Sequence, residues 1–227
     1  MIKEEKIVIS FDLDYTLINN KKGIVNSFNY ALRKFNLPEV NKKIIHKMIG
    51  TPLNEMFTRF TDIEPSELSR TFREYYTAKG IYQSKLLSGS KSVLKELKVH
   101  GFTLGVITSK KQNIARKITE YLEIESFFDF ILGESDSIKS KLDPYLTNFL
   151  RETYPENKFI IIGDHPKDAM LAKNLNSLFI GVLTGFHSTH QLEQARNQKD
   201  QTIIVKEIKK ISAELIKTFL QNSNPEN

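Results

Sequence analysis

Short apolar runs alternate with stretches of helical periodicity through most of this chain, and that alternation limits the folds it can adopt. The runs with the length and composition of buried strands are residues 7–11, 102–108, 127–132, 159–162, 178–183 and 202–205. Helical spacing of apolar residues lies between or after them, at 93–99, 114–122, 144–150, 169–175 and 208–220. Strands that alternate with helices favour a parallel sheet covered on both faces. The pattern predicts an α/β fold, a Rossmann-like doubly wound parallel sheet.

One long segment interrupts the alternation. Residues 20–85 contain no convincing strand, and apolar residues such as Phe28, Leu32 and Phe35 recur there at helical spacing. An all-helical domain is therefore predicted to be inserted soon after the first strand. The predicted organisation is a core of residues 1–19 and 86–222, a helical insert at 20–85 and a polar tail at 223–227.

The composition narrows the class of protein. The chain has 227 residues, of which 40% are hydrophobic and 26% charged, as in a soluble globular protein. It contains no cysteine, which excludes disulfides and thiolate metal sites. The first residues are charged, so no signal peptide is expected, and no apolar run approaches the roughly 18 residues that span a bilayer. We therefore expect a cytoplasmic protein that does not act on membranes.

The charge balance bears on possible partners. Lys and Arg exceed Asp and Glu by 33 − 27 = 6, a surplus that could help to attract anionic substrates. The basic residues are scattered and form no patch interleaved with aromatic residues, so nucleic-acid binding is not expected. The sequence leaves a monomer and a homodimer equally open.

Two carboxylates follow the first strand. Asp12 and Asp14 come directly after the apolar run 7–11, and residues two apart on a strand point the same way. Carboxylates that converge repel each other unless a cation or a proton lies between them. Magnesium typically takes one or two carboxylates together with substrate phosphate. The pair indicates either a metal-assisted phosphoryl site or an ordinary acidic turn.

Further polar groups follow other strands of the predicted sheet. Ligands of open α/β sheets bind beyond the carboxyl ends of the strands. The residues at those positions are Thr108, Ser109, Lys139, Lys141, Gly163, Asp164 and Asp168. A hydroxyl, a lysine and carboxylates gathered at one edge would suit a phosphate and its metal.

Each of these residues also has an ordinary structural explanation. Thr108 could cap the following helix, and Lys141 could be one of many solvated basic residues. Asp164 could be a helix N-cap and Asp168 a surface residue. The shared position of all four at strand ends is much harder to explain in this way.

The order of the motifs resembles the haloacid dehalogenase superfamily of phosphatases, and more narrowly its phosphoglycolate-phosphatase-like group with a helical cap. The similar segments are Asp12-Leu13-Asp14-Tyr15-Thr16, Val106-Ile107-Thr108-Ser109, Lys141-Leu142-Asp143-Pro144, Gly163-Asp164-His165-Pro166-Lys167-Asp168 and Gly181-Val182-Leu183-Thr184-Gly185. The resemblance covers nearly the whole chain and is weakest in the insert. It implies a Mg²⁺-dependent phosphatase that acts on a small soluble phosphate monoester.

The resemblance also implies a role for each motif residue. Asp12 would be the nucleophile that forms an aspartyl-phosphate, and Asp14 the general acid and base. Mg²⁺ would be held by Asp12, by the backbone carbonyl of Asp14 and by Asp164. The implied phosphate-binding residues are Thr108, Ser109 and Lys141, and the implied supporting residues are Thr16, Gly163 and Asp168.

Two departures from the family pattern matter. Leu142 replaces the proline that usually follows the lysine, which leaves Lys139 as an alternative to Lys141. Lys141 is preferred because Asp143-Pro144 then falls in register. Tyr15 stands where glycine is common, which could alter the turn after Asp14.

Several functions remain compatible with the motifs. A pyrophosphatase, a nucleotidase or a sugar-phosphate mutase would use the same core, and a non-catalytic regulatory protein is a different class. Such a protein would not need all the groups present here, namely Asp12, Asp14, Thr108, Lys141 and Asp164. Because these groups treat every phosphoryl group alike, the insert is expected to select the leaving group, closing on hinges near 19–20 and 84–85.

Overall fold

A parallel sheet organises most of the chain in the computed structural model, which describes residues 6–197 and 201–223. The strands are β1 (Ile7–Phe11), β2 (Ile18–Asn19), β3 (Lys85–Leu86), β4 (Thr103–Lys111), β5 (Phe130–Glu134), β6 (Lys158–Gly163), β7 (Leu178–Val182) and β8 (Thr202–Val205). Within the described residues, all of them except β2 and β3 form one six-stranded sheet in the order β5-β4-β1-β6-β7-β8. Every neighbouring pair in that sheet is parallel. The predicted fold class is confirmed.

Helices connect the strands and make up the insert. They are α1 (Lys21–Lys34), α2 (Lys42–Met48), α3 (Leu53–Phe57), α4 (Pro65–Tyr75), α5 (Ser90–Val99), α6 (Gln112–Tyr121), α7 (Pro144–Thr153), α8 (Pro166–Leu175), α9 (Thr189–Arg196) and α10 (Ala213–Asn222). Helix α4 continues through a π-helical turn, Tyr76–Gly80, into a short 3₁₀ turn, Ile81–Gln83. The structure thus has helices at 21–75 and alternating strands and helices from 85 onwards.

The order of the strands positions a ligand site. The chain passes from β1 outward to β4 and β5, then returns to the other side of β1 with β6 and continues outward to β7 and β8. The connections from β1 and β6 therefore run in opposite directions, and open α/β sheets bind their ligands at such a switch point. Phe11 at the end of β1 is level with Val106 on β4 and Ile162 on β6. The residues that follow these three positions lie at one edge of the sheet.

The core explains why the strands read as continuous apolar runs. Val8 and Ile9 on β1 are successive residues, as are Phe179 and Ile180 on β7, and all four are fully buried, with no exposed surface. Neighbouring residues on a strand point to opposite faces, and parallel sheets are covered by helices on both faces. Apolar residues are consequently required at successive positions and not only at alternate ones.

Several element boundaries differ from the sequence prediction, including those of the last helix and of strands β5 and β4. The predicted last helix at 208–220 is a 3₁₀ turn at Ile208–Lys210 followed by α10, because the Ser212 side chain caps a new start by accepting a hydrogen bond from the Leu215 backbone N–H. The predicted strand at 127–132 is shifted to Phe130–Glu134 behind a short 3₁₀ turn. The strand predicted at 102–108 continues to Lys111.

Helix α9, Thr189–Arg196, has no range in the sequence prediction. It begins with a capping box, in which the Ser188 hydroxyl accepts from the Gln191 backbone N–H and the Gln191 side chain accepts from the Ser188 backbone N–H. A Ser followed three residues later by Gln is a helix-start signal that the sequence contained. The predicted polar tail, 223–227, lies outside the described residues except for Ser223.

The chain divides into two compact units. One comprises the described residues up to Ile18 and from Leu86 onwards, and the other is Asn19–Lys85. The second unit has an apolar core of its own, in which the fully buried rings of Phe28 and Phe57 stack with centroids 4.3 Å apart. Gly23 lies so close to the Gly80 carbonyl that a Cβ there would collide with it. Glycine therefore permits α1 to approach the turn that follows α4.

We predict that Phe57→Ala destabilises the Asn19–Lys85 unit by about 3–5 kcal/mol, because it removes a stacked ring and leaves a cavity. Hydrogen exchange followed by mass spectrometry should show lost protection in that unit before any change in the sheet. Ile44→Ala is the matched control, since Ile44 is 48% exposed in the same unit. Equal losses of protection in the two variants would contradict this account of the core.

Candidate active site

The candidate site lies at the carboxyl edge of the central strands. Asp12 follows β1 directly, Asp164 follows β6 directly, and Thr108 lies in β4 two residues beyond the position level with Phe11. All three side chains are buried. Buried polar side chains are uncommon unless they are paired or bind a ligand, so this cluster requires a physical explanation.

Lys141 is the cation of the cluster. Its Nζ donates to Asp12 Oδ1 at 2.5 Å and to Asp168 Oδ1 at 2.5 Å, and its side chain is only 3% exposed. Lys139 is exposed, and its backbone N–H donates to Asp143 Oδ2 at 2.9 Å. Of the two lysines that the sequence left open, the structure brings Lys141 to the carboxylates.

Asp168, on helix α8, holds Lys141 in place through this hydrogen bond. Its Oδ2 accepts from the backbone N–H of His165 at 3.0 Å, which completes a capping box with His165 as the N-cap. The explanations of Asp164 as the N-cap and of Asp168 as a surface residue are therefore wrong, since Asp168 is 1% exposed. Gly163 is needed beside Asp168, because a Cβ at Gly163 would collide with that carboxylate.

Thr108 does not cap the helix that follows it. Helix α6 starts after Lys111, and no side chain caps that start. The Thr108 hydroxyl instead accepts from the backbone N–H of Lys110 at 3.2 Å. Ser109, the other predicted phosphate-binding hydroxyl, is exposed and is not brought into the buried cluster.

Asp164 is held by two loops. The Thr16 hydroxyl donates to Asp164 Oδ1 at 3.1 Å, and Thr16 is fully buried. On the other side, Gly185 in the loop after β7 packs so closely that a Cβ there would collide with the Asp164 carboxylate. The same loop supports the first motif, because the Thr184 hydroxyl donates to the Tyr15 carbonyl.

Tyr15 adopts the conformation that glycine usually supplies. Its φ is +59°, in the left-handed region, which costs a residue with a side chain roughly 1–2 kcal/mol. The buried ring packs edge-on against Phe186 with centroids 5.0 Å apart. Ring burial and the Thr184 hydrogen bond offset the strain, so the turn after Asp14 is formed without glycine.

Burial controls the electrostatics of the carboxylates. It raises the pKa of Asp12 from 3.8 to about 7, although Lys141 opposes that rise. It raises the pKa of Asp164 to about 9, with Asp12 and Asp168 adding to the effect. Burial also lowers the pKa of Lys141, but Asp12 and Asp168 outweigh it and leave that pKa raised. One ammonium group thus balances only part of the negative charge of the cluster.

The residues fit a hard divalent cation. Carboxylate oxygens of Asp12, Asp164 and Asp168 lie within 4.8 Å of one another. Asp168 already accepts from Lys141 with one oxygen and from His165 with the other. Asp12 and Asp164 are therefore the better ligands, and an all-oxygen donor set of this kind suits Mg²⁺.

Asp14 belongs to a separate ion pair at the rim. Its Oδ2 lies 3.0 Å from Lys110 Nζ, and the two side chains are 28% and 13% exposed. Lys110 is not among the site residues predicted from the sequence. A signal was present, because residues two apart on an extended strand share a side and Lys110 is two residues beyond Thr108.

Two histidines border the cluster. The rings of His165 and His187 meet edge-on with centroids 4.4 Å apart, and burial lowers the pKa of His165 to about 4. Burial also lowers the pKa of His187. His165 is also the N-cap of α8. Neutral imidazoles here add no positive charge to the site.

Comparisons with known proteins point to one family. The model of the haloacid dehalogenase-like hydrolase family matches residues 9–182. This chain is similar to a 5'-nucleotidase from Pseudomonas aeruginosa, with 30% identity covering 81% of this chain and 86% of the relative. It is also similar to a phosphoglycolate phosphatase from Vibrio parahaemolyticus, with 24% identity covering 82% and 88%.

A solved structure is similar over nearly the whole chain. It is a haloacid dehalogenase-like hydrolase from Streptococcus pneumoniae, with a TM-score of 0.78 and 29% identity, covering 94% of this chain and 98% of that one.

Among the residues that the structure describes here, no helix is long and apolar enough to cross a membrane.

We predict that Mg²⁺ raises the melting temperature more at about pH 8 than at about pH 5. Folding raises the carboxyl pKa values from 3.8 to about 7 for Asp12 and about 9 for Asp164, so the stability linked to these groups is complete below pH 3.8 and is lost as the pH rises through those values. A cation that pairs with the ionised carboxylates should restore stability where they are ionised. Thermal denaturation with Mg²⁺ or EDTA at both pH values measures this.

Asp164→Asn is the control for that measurement, because it removes a ligand and one of the two titrations. In this variant, Mg²⁺ should raise the melting temperature at the higher pH by less than it does in the original protein. A gain that is the same at both pH values in the original protein would contradict the assignment of a cation to these carboxylates.

Proposed function

The chain belongs to the haloacid dehalogenase-like hydrolase family, as its motifs predicted, and we propose that it is a Mg²⁺-dependent phosphatase of a small, soluble, phosphoglycolate-like phosphate monoester. The observation that carries the proposal is the Lys141 ammonium held between Asp12 and Asp168, next to Asp164. Such a cluster combines a nucleophilic carboxylate, a cation for phosphoryl oxygens and a place for a divalent ion. The reaction would be hydrolysis through an aspartyl-phosphate.

Asp12 and Asp14 carry the covalent chemistry in this proposal. An Asp12 carboxylate oxygen attacks phosphorus while the bond from phosphorus to the leaving oxygen breaks, and the Asp14 carboxyl gives that oxygen its proton. Asp14 then takes a proton from water as the water oxygen attacks phosphorus. The bond from phosphorus to Asp12 breaks, which releases inorganic phosphate and restores the Asp12 carboxylate.

The neighbouring side chains position the transferring group. Lys141 donates to Asp12, so its ammonium group can also donate to a phosphoryl oxygen that approaches the nucleophile. Thr108 is a buried hydroxyl at the same edge, and we assign it to another phosphoryl oxygen. Asp168, Thr16 and Gly163 support these groups through the contacts already described.

The metal would be held by Asp12, Asp164 and the backbone carbonyl of Asp14. When bound, Mg²⁺ supplies positive charge that offsets the charge of the phosphoryl oxygens and of the two carboxylates. The raised pKa values of Asp12 and Asp164 support this assignment, since buried carboxylates of that kind are most readily ionised beside a cation.

The motif residues define the phosphoryl group of the substrate more closely than they define its leaving group. Relatives of similar sequence identity are named as a 5'-nucleotidase and as a phosphoglycolate phosphatase. The residues that handle phosphorus contain nothing that would separate these substrates. We assign the choice to the helical insert, proposed as a cap domain at 20–85 on a core of 1–19 and 86–222. The 5'-nucleotidase relative makes nucleotide hydrolysis the second candidate.

The proposal also includes a setting for the enzyme. We place it in the cytoplasm, acting on a phosphorylated metabolite and not on nucleic acid or membranes. A surplus of 6 basic residues would favour the approach of small anions to the protein in general.

We predict that Asp12→Asn lowers turnover by at least about a thousandfold, because a carboxamide is a poor nucleophile. Mass spectrometry of protein that is quenched in acid during turnover should place the phosphoryl group on Asp12. Asp136→Asn, which alters an exposed aspartate, is the matched control and should retain activity. A phosphoryl group found on a serine or histidine would contradict the mechanism.

We predict that a panel of substrates ranks small monoesters first. Phosphate release from 2-phosphoglycolate, a nucleoside 5'-monophosphate, pyrophosphate and a phosphorylated protein should be compared with Mg²⁺ and with EDTA. The expected result is highest kcat/KM on 2-phosphoglycolate, negligible release from the protein and no activity in EDTA. A clear preference for the nucleotide would establish the second candidate instead, and full activity in EDTA would refute metal dependence.

A further inference from the structure

Lys110 is a second lysine at the site, and the motifs give it no role. Its side chain is only 13% exposed, which is unusual for a lysine unless it is paired. Its Nζ lies 3.0 Å from Asp14 Oδ2. Asp14 is the residue to which the proposed function gives both proton transfers, so the ion pair joins Lys110 to the acid–base group.

The backbone of Lys110 is fixed from both sides. Its N–H donates to the Thr108 hydroxyl at 3.2 Å. Gly133 on β5 packs so closely against the Lys110 carbonyl that a Cβ at Gly133 would collide with it. The register between β4 and β5 also shifts between Ile107 and Lys111, and that irregularity sets the course of the strand at Lys110. The ammonium group therefore projects from a well-defined point.

The positions of β1 and β4 in the sheet explain why Lys110 reaches Asp14. Strands β1 and β4 are adjacent and parallel, with Phe11 level with Val106. Asp14 lies three residues beyond Phe11 and Lys110 four residues beyond Val106. Because β4 continues to Lys111, the extension carries Lys110 alongside the turn that holds Asp14.

Proton transfer depends strongly on the position of the acid. The carboxyl group must come within about 2.6–3.2 Å of the leaving oxygen, and its orientation must suit that contact. Asp14 is 28% exposed and lies outside the buried Asp12–Lys141–Asp168 cluster. A side chain in such a position needs a partner on a rigid element to keep one orientation.

We infer that Lys110 is a positioning residue, which holds the Asp14 carboxyl group where it can exchange a proton with the leaving oxygen and with the attacking water. The inference rests on the proposed function. Lys110 keeps its own protons in both half-reactions: the proton passes from Asp14 to the leaving oxygen, and later from water to Asp14. Lys110 is therefore distinct from Lys141, which is assigned to the phosphoryl group.

The test uses two esters that differ in their need for a proton on the leaving group. The oxygen of p-nitrophenyl phosphate leaves readily without one, whereas that of glycerol 2-phosphate requires it. With Mg²⁺ present, kcat/KM reports formation of the aspartyl-phosphate. For Lys110→Met we expect a loss of about tenfold to a hundredfold on glycerol 2-phosphate and less than about threefold on p-nitrophenyl phosphate. Lys110→Arg should recover part of the loss.

Lys111→Met is the matched control, because it removes the same charge one residue further along β4 from an exposed position. It should leave both values unchanged. Thermal denaturation checks that each variant is folded, and Lys110→Gln serves if the methionine variant is not. A role in structure alone, or in phosphate binding, would lower both values equally.

The outcomes separate this inference from the proposed function. If the original protein hydrolyses neither ester with Mg²⁺, the proposed function fails. If it hydrolyses both, and Lys110→Met lowers kcat/KM equally on the two esters or raises it on glycerol 2-phosphate, the function stands and the positioning role of Lys110 is refuted. A rise would mean that Lys110 acts only through its charge.

Discussion

The contact between Lys141 and the buried aspartates is the interaction on which the candidate site depends. One ammonium group lies 2.5 Å from both Asp12 and Asp168, and it is 3% exposed. Taking such charges out of water costs several kcal/mol for each ion, and removal of one partner of a buried pair typically costs about 3–5 kcal/mol. The surrounding contacts consequently serve to keep every member in place: His165 holds Asp168, Thr16 holds Asp164, and glycines allow the close approach. In the proposed function, this arrangement serves to bind phosphate and a metal ion and does not add to stability.

The parallel sheet brings distant parts of the sequence to this contact. Lys141 and Asp12 are 129 residues apart, and Thr16 and Asp164 are 148 apart. Asp12 and Asp164 follow the neighbouring strands β1 and β6, whose carboxyl ends share one edge, and Lys141 reaches that edge from the segment between β5 and α7. The insert, Asn19–Lys85, lies in the sequence between β1 and β4, the next strand of the six-stranded sheet. Its 67 residues therefore do not alter the order of the strands. The buried cluster of Asp12, Lys141, Asp164 and Asp168 consequently lies entirely outside the insert.

Much of the fold could be predicted because its elements follow local rules. The buried strands are uninterrupted apolar runs such as 159–162, and the amphipathic helices show their period. What could not be predicted depends on tertiary contacts. Lys110 reaches Asp14 because β4 continues to Lys111 beside β1, whereas the predicted strand ends at residue 108. Tyr15 lies in a left-handed turn that is supported by residues far along the chain. Phe186 packs against its ring, and the Thr184 hydroxyl donates to its carbonyl. The choice between Lys139 and Lys141 likewise needed the position of Asp168.

Two aspartates that are only two residues apart end in different surroundings. Asp12 is buried with Lys141, which it shares with Asp168, and burial raises its pKa to about 7. Asp14 is 28% exposed and is paired with Lys110 from the neighbouring strand. A nucleophile must be held rigidly against phosphorus and ionised by neighbouring cations, whereas an acid and base must reach both the leaving group and water. The first requirement suits a buried position with a shared lysine, and the second suits a position at the rim with a lysine that orients it. The division of labour that we propose for Asp12 and Asp14 would thus follow from where the turn after β1 leaves the sheet.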